Sequence, residues 1–269
     1  MQGKAQTLEA LKQRVARLEA NPMLKETAEI PPGLLATPRG ALHEVFADTL
    51  VEAGAALGFA LAQARGFLKP SRPGLLILQL KSDVQEIGLP YGLGLKSFGL
   101  DTEAIVLIRT DTIVELLWAI EEAVACRAVG AVVADIAYAH KALDFTASRR
   151  LALRSAASAG TVFLVRYARD REASAARYRW RITPSLSASP PFDDRAPGPP
   201  RWRVRLEKGS LNSRRRTAAE GEEYLVDWTE NGLVLADDKS GKDRSVAPSI
   251  AAVSRAAPAA LGNGLSQAG

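Results

Sequence analysis

Residues Leu42–Arg65 have the sequence LHEVFADTLVEAGAALGFALAQAR, the most informative segment for the fold class. Its first residues, Leu42–Phe46, have the apolar character of a buried strand, and Gly54–Gly66 have the composition of a helix. A strand that runs directly into a helix is the opening of a strand–helix–strand unit. This stretch therefore predicts a parallel sheet with helices packed on its faces.

The eight positions that join the strand to the helix, Ala47–Gly54, are those where a P-loop holds phosphate. A working P-loop reads G-x-x-x-x-G-K-[ST], because glycines let backbone N–H groups approach phosphate while the lysine neutralises it. Here Ala, Glu, Ala and Gly stand at the four defining positions, and no Gly-Lys-Ser/Thr triplet occurs anywhere in the chain. Asp48 and Glu52 would repel a triphosphate. We expect a fold without ATP chemistry, no nucleotide cofactor, and a binding role in place of catalysis.

Composition sets broad limits on the class of protein. The chain has 269 residues, 47% of them hydrophobic, which is enough for one large domain with its own core. No apolar run is long enough to span a bilayer, so no membrane contact is expected. A single cysteine, Cys126, excludes an internal disulfide framework and indicates an inert buried thiol in a reducing cytoplasm. The net charge of +5 permits nucleic acid or an acidic protein as partner and requires neither.

Buried strands and helices alternate along the first two thirds of the chain. Four further apolar runs of five or six residues are predicted to be strands: Leu75–Leu80, Ala104–Ile108, Ala131–Ile136 and Thr161–Val165. Helices are predicted between them, a short one closed by a glycine and two longer ones: Tyr91–Leu100, Asp111–Val129 and Ser148–Ala159. This order predicts an α/β fold with a doubly wound, mostly parallel sheet.

The sequence divides into four segments. Residues 1–22 carry an amphipathic helix, which either docks on the core of its own chain or mediates self-association. Residues 23–39 form a linker, and residues 40–236 form the core, with a mobile Pro- and Ser-rich loop at 183–200. Residues 237–269, rich in Ala, Ser and Gly, are expected to form a flexible tail.

Two segments in the second half alternate strictly between arginine and apolar residues, which is the period of a half-buried strand. Arg177, Arg179 and Arg181 fall on one face of the first strand, opposite Tyr178, Trp180 and Ile182; Arg201, Arg203 and Arg205 do the same on the second. A further strand, Tyr224–Trp228, follows them. If the two strands pair, six guanidinium groups share one side of the sheet. They are then either neutralised by acids such as Asp170, Glu172 and Glu207, or form a docking surface for DNA phosphate or an acidic protein.

The remaining polar candidates point away from catalysis. Asp135 ends an apolar strand where a Mg²⁺-binding carboxylate would stand, and without a phosphate loop its role is expected to be structural. His43 and Glu44 are predicted to form a hydrogen-bonding pair at a sheet edge. Arg149 and Arg150 are predicted to begin a helix, where positive charge opposes the macrodipole, so they need acidic partners inside the chain or on another protein. No cluster of His and Cys has metal-ligand spacing.

This order of elements resembles the RecA-like ATPase core, and within it the chain is similar to the ImuA family of SulA/RecA-like proteins from the bacterial damage-inducible mutagenesis cassette. Seven segments carry the similarity: GALHEVFA (Gly40–Ala47), GFALA (Gly58–Ala62), YGLGLKSFGLD (Tyr91–Asp101), LWAIEEA (Leu117–Ala123), DFTASRRLAL (Asp144–Leu153), RWRITPS (Arg179–Ser185) and RWRVRL (Arg201–Leu206). The TASRRLAL segment and the paired RWR segments are the most specific of these.

The resemblance implies a nonenzymatic component of an SOS-induced translesion system. The implied partners are an ImuB-like homologue of Y-family polymerases, an error-prone C-family DNA polymerase complex and RecA, with a weak or indirect contact to DNA. Some relatives keep a recognisable P-loop and this chain does not, so ATP binding does not carry over. Two alternatives stay open: a SulA-like inhibitor of cell division, and a RecA-like protein that binds nucleotide or DNA in a noncanonical way.

Overall fold

The computed structural model describes residues 35–236 apart from residues 191, 192, 194, 214, 215, 219 and 220. The predicted N-terminal helix at 1–22, most of the linker and the tail at 237–269 lie outside the described residues. The five linker residues that are described, 35–39, form no helix or strand. They are held against the core, because Leu35 and Thr37 are buried.

A nine-stranded sheet forms the centre of the molecule, with strand order β11-β10-β7-β6-β1-β5-β4-β2-β3. Its strands are β1 (Leu42–Ala47), β2 (Gly74–Leu80), β3 (Ile105–Thr110), β4 (Val129–Ile136), β5 (Thr161–Tyr167), β6 (Tyr178–Ser185), β7 (Arg201–Lys208), β10 (Glu223–Thr229) and β11 (Gly232–Leu235). The strands from β3 to β6 in this order run parallel, and β7, β10 and β11 are antiparallel additions. The prediction of an α/β, RecA-like sheet with added antiparallel strands is therefore confirmed.

The central strands are buried on both faces, which explains their nearly continuous apolar sequences. All residues of β1 and β4 are buried. A short separate hairpin of β8 (Leu211–Ser213) and β9 (Arg216–Ala218) was not predicted, and neither was β11. The strand β6 extends to Ser185, so the first three residues of the predicted loop at 183–200 belong to the sheet.

Helix α1 (Ala53–Arg65) packs on one face of the sheet. It is rich in alanine, and Gly58 lets it approach the aromatic layer: a Cβ there would lie 3.2 Å from Phe98 and 3.4 Å from Trp202. Two short helices, α2 (Val84–Ile87) and α3 (Gly92–Ser97), follow β2. The predicted glycine stop is present after α3, since Gly99 has a φ of 65°.

Helices α4 (Ile113–Ala125) and α5 (Phe145–Ser158) cover the other face, over β1 to β5. A capping box between Thr112 and Glu115 begins α4. The predicted extension of this helix to residue 129 is wrong, because Cys126 takes an extended backbone that leads into β4. Cys126 is exposed there, contrary to the expectation of a buried thiol. No helix in the described ranges has the length and apolar character needed to cross a membrane.

The start of α5 also differs from the prediction. Asp144 caps the helix by accepting a hydrogen bond from the Ala147 backbone N–H at 2.7 Å, so the helix begins at Phe145 and not at residue 148. Arg149 and Arg150 therefore lie in the second turn. The expected conflict with the positive end of the macrodipole does not arise there, because that effect is confined to the first turn.

Candidate interaction surface on the arginine strands

The loop after β1 is filled by its own carboxylates. It forms a 3₁₀ turn at Leu50–Glu52, in which Glu52 Oε2 accepts a hydrogen bond from the backbone N–H of Asp48 at 3.1 Å. In a P-loop such backbone donors face phosphate. The Asp48 carboxylate accepts hydrogen bonds from Arg171, at 3.3 Å, and from Arg181. The loop donor and both carboxylates thus have partners within the chain.

The surroundings of Asp48 favour the ionised form of its carboxyl group. Partial burial alone would raise its pKa, but the hydrogen bonds and charges of Arg181 and then Arg171 outweigh it and hold the pKa below the usual value. Asp48 is thus a carboxylate at neutral pH, held by two guanidinium groups. A nucleotide phosphate approaching the loop would meet this charge and that of Glu52.

The predicted alternation on β6 and β7 is present. The apolar partners Trp180, Ile182, Trp202, Val204 and Leu206 are buried in the core under α1, so the arginines between them face the other side of the sheet. The helices α4 and α5 cover β1 to β5 on that side, and among the described residues no helix covers the arginines of β6 and β7. Arg177 departs from the pattern, because its guanidinium carbon lies 5.6 Å from the ring centroid of Tyr178, a core residue on the α1 side.

Arg179 is held by a buried carboxylate that the sequence interpretation did not connect with it. Glu44 on β1 is only 1% exposed, and its Oε2 accepts hydrogen bonds from Arg179 Nε at 2.9 Å and Nη2 at 2.7 Å. Ser174 Oγ donates to the same oxygen at 2.6 Å, and Arg166 Nη1 donates to Oε1 at 3.4 Å. Glu172 accepts a further hydrogen bond from Arg166 at 2.8 Å. The group is a compact buried network around one glutamate.

The remaining strand arginines differ in how far they are neutralised. Arg201 forms a two-point ion pair with Asp227 at 2.5 and 2.7 Å, and its side chain is 9% exposed. Arg203 lies 3.4 Å from Glu223 with a side chain that is 58% exposed. The side chain of Arg205 is exposed and forms no hydrogen bond or ion pair with any residue that the structure describes.

A groove of about 380 Å³ lies beside the strand arginines that are least neutralised by acids. Three arginines and one acid form part of its lining, which comprises Arg181, Thr183, Pro184, Arg203, Arg205 and Glu223.

Of the acids expected from sequence to neutralise this face, Glu172 contacts Arg166 and Glu207 contacts Arg171. The acids that meet the strand arginines directly are Glu44, Asp48, Glu223 and Asp227. A charged residue inside the apolar strand LHEVFA was the signal that could have identified Glu44, because a buried carboxylate needs a partner.

Arg149 and Arg150 belong to α5 and not to the arginine strands. Arg150 forms a salt bridge with Glu121 on α4 at 3.1 Å. Of the two predicted possibilities for this arginine, the partner inside the chain is therefore the one observed. Arg149 is exposed and has no ion pair within the described ranges.

Asp135 lies in a closed polar network at the end of β4. It accepts hydrogen bonds from Tyr167 at 2.6 Å and from Gln79 at 3.2 Å, and it is 1% exposed. Burial raises its pKa to about 6 in spite of these hydrogen bonds, with a contribution from the charge of Asp83. Because the folded pKa exceeds the unfolded value, this group favours folding at low pH. That contribution is lost as the pH rises through about 6.

His43 does not pair with Glu44, and the predicted sheet-edge pair is wrong. β1 is a central strand between β5 and β6, and successive residues point to opposite faces. Trp180 Nε1 donates to His43 Nδ1 at 3.2 Å, so Nε2 carries the proton and donates to Thr37 Oγ1 at 3.3 Å. Burial, with a smaller contribution from Arg177, lowers the pKa of His43 to about 3. Its contribution to stability is complete above about pH 6.5 and is lost as the pH falls.

The fold and the site define a class: an α/β protein with a RecA-like sheet, a loop after β1 whose carboxylates have partners within the chain, and an arginine face on the added strands. No protein-family model matches the chain. It is 33% identical over 183 residues to Protein ImuA from Caulobacter vibrioides strain NA1000 / CB15N, covering 64% of this chain and 70% of the relative. Protein ImuA from strain CB 15 matches equally. The chain belongs to the ImuA family, and this membership supports a role in damage-inducible mutagenesis.

Proposed function

We propose that the chain is a non-catalytic adaptor of SOS-induced translesion DNA synthesis in the cytoplasm. It joins an ImuB-like homologue of Y-family polymerases to an error-prone C-family DNA polymerase complex, with RecA as a further contact. These partners are the ones that the family resemblance implies. Their assembly on damaged DNA gives the adaptor a weak or indirect contact with nucleic acid.

The observation that carries this proposal is the state of the loop after β1. Glu52 accepts the hydrogen bond of the Asp48 backbone N–H, and the Asp48 side chain is engaged by Arg171 and Arg181. A phosphate would have to displace Glu52 and approach two carboxylates, while the position of the P-loop lysine is occupied by Ala53. A RecA-like sheet without phosphate binding supports protein contacts through its surface.

Calorimetric titration with ATP and Mg²⁺ tests the non-catalytic part of the proposal. We expect no saturable binding heat at micromolar nucleotide, and no ATP hydrolysis faster than that in buffer without protein. A RecA-type ATPase with an intact P-loop, titrated in the calorimeter under the same conditions, serves as the positive control. Saturable binding at micromolar ATP would show that this loop holds phosphate by another route, and would favour the noncanonical nucleotide-binding alternative.

Recovery of partners from DNA-damaged cells tests the adaptor role. The tagged full-length chain is expected to retain the polymerase-like protein and the C-family polymerase from damaged cells. The same chain without residues 1–22 tests the separate prediction that this segment mediates self-association. Recovery of only an FtsZ-type division protein would favour the SulA-like alternative and exclude the adaptor.

A further inference from the structure

The arginines on the face of β6 and β7 that lies opposite α1 fall into two groups by accessibility. The side chains of Arg179 and Arg201 are 13% and 9% exposed, and each is engaged by an acid of a neighbouring strand. The side chains of Arg181 and Arg203 are 41% and 58% exposed, and Arg205 is exposed as well. The first group stabilises the sheet, and the second lines the open groove of about 380 Å³.

The strand register brings the second group into a row. Arg181 on β6 lies directly opposite Arg205 on β7, and Arg205 lies directly opposite Glu223 on β10. Directly opposed residues have Cβ atoms about 5 Å apart, so two guanidinium groups share this part of the groove. Glu223 reaches Arg203 instead of Arg205, at 3.4 Å. The row therefore keeps a positive charge that no described acid of the chain compensates.

We propose that this groove binds an acidic peptide segment of a partner protein, with carboxylates held by Arg203 and Arg205. A guanidinium presents a planar fork that matches a carboxylate at two points, and two forks on neighbouring positions of one strand fit two acidic side chains of an extended peptide. Thr183, opposite Arg203 on β6, adds a hydroxyl to the same wall. The inference specifies how the proposed adaptor holds a partner, and in that respect it rests on the proposed function.

Two observations favour a peptide over a nucleic acid. Proteins that bind single strands stack bases on exposed aromatic rings, and here Trp180 and Trp202 are buried on the opposite face of the sheet. A phosphate chain also needs a continuous positive track, whereas Glu223 and Asp227 interrupt this one. Alternating charges fit a short segment that carries a few carboxylates among neutral residues.

Fluorescence anisotropy with three labelled probes tests the proposal on the full-length chain. The probes are the acidic peptide GSESESESG, its amide counterpart GSQSQSQSG and an oligothymidine of similar charge. We expect saturable binding of the acidic peptide that weakens as salt is raised, and no binding of the amide peptide. Arg203→Gln and Arg205→Gln should each weaken binding about fivefold, as expected for solvent-exposed ion pairs.

Two further variants separate charge, geometry and general electrostatics. Arg205→Lys keeps the charge without the planar fork. It should therefore lose about half as much binding free energy for the acidic peptide as Arg205→Gln loses. Arg149→Gln removes an exposed arginine of α5 and should leave peptide binding unchanged. Near-ultraviolet circular dichroism verifies that each variant keeps the native aromatic packing.

Several outcomes would overturn the inference. They are equal binding of the amide peptide, equal losses in Arg149→Gln and Arg205→Gln, no peptide binding at all, and tighter binding of oligothymidine with the same sensitivity to Arg205. The partner recovery described above is read separately: a wild-type chain that binds the peptide but recovers no polymerase subunit contradicts the adaptor role and leaves the groove established.

Discussion

Replacing Glu44 by Gln removes the charge at the centre of the buried network and changes almost nothing in size. The carboxylate accepts hydrogen bonds from Arg179, Ser174 and Arg166, and it is 1% exposed. The side chains of Arg166 and Arg179 are 8% and 13% exposed, so water compensates little of the charge that they would keep. The amide would also direct N–H groups toward guanidinium donors.

Breaking a buried ion pair by removing one partner costs about 3–5 kcal/mol of the free energy of unfolding. Part of the network survives in the variant, since Arg166 retains Glu172 at 2.8 Å and Arg179 retains the Glu172 carbonyl at 2.9 Å. We therefore expect a loss near the lower limit, about 3 kcal/mol. In urea this corresponds to a shift of the midpoint by roughly 1 M, for a slope of about 3 kcal/mol per M.

Equilibrium urea unfolding followed by tryptophan fluorescence measures this loss, because Trp180 and Trp202 are buried in the native sheet. Glu223→Gln is the matched control: it makes the same chemical change in an exposed pair, 3.4 Å from Arg203, and should cost at most about 1 kcal/mol. Equal small losses in both variants would refute the reasoning, since they would mean that the burial of Glu44 gives its charge no special role.

Three further predictions concern single groups, each measured by urea unfolding against the wild type. Relative to His43→Gln, the wild type should lose about 1.4 kcal/mol of stability per pH unit between pH 6 and 4, because the folded pKa of about 3 lies below the unfolded value of 6.5. Relative to Asp135→Asn, the wild type should gain a similar amount as the pH falls from 6 to 4, because the folded pKa of about 6 lies above 3.8. A stability difference independent of pH in either pair would contradict the corresponding assignment. Asp144→Ala should cost about 1 kcal/mol through loss of the α5 cap, and an unchanged midpoint would place the start of that helix elsewhere.

The sequence predicted the two faces of the arginine strands but not the partners of the arginines. Alternation is local, so it correctly assigned Trp180 and Trp202 to the core and the arginines between apolar residues to the opposite face. The partner of Arg179, by contrast, is 135 residues away in sequence and adjacent only because β6 pairs with β1. Such contacts depend on strand order, which period and composition leave undetermined.

Helix boundaries failed for a different reason. Phe145 and Thr146 have lower intrinsic helix propensity than Ala or Leu, so propensity alone does not extend α5 to Phe145. The side chain of Asp144 reverses that preference, because it satisfies a backbone donor of the first turn. The cap was visible in the sequence. Cys126, in turn, lies within the apolar helical pattern of α4 in the sequence, but the helix ends at Ala125 because the chain must enter β4.

The loop after β1 and the arginine strands are physically linked through Asp48. The carboxylate that would repel a nucleotide is the group that binds Arg171 and Arg181, and so it ties the loop after β1 to β6 and to the segment that precedes β6. Replacing Asp48 with a neutral residue would leave both guanidinium groups without this partner. The charge of Asp48 therefore neutralises part of β6 and at the same time opposes an anion at the loop. Acids of β1 and of the loop after it neutralise arginines of β6, and acids of β10 neutralise arginines of β7. Arg205 lies between these two groups of acids, and neither group neutralises it.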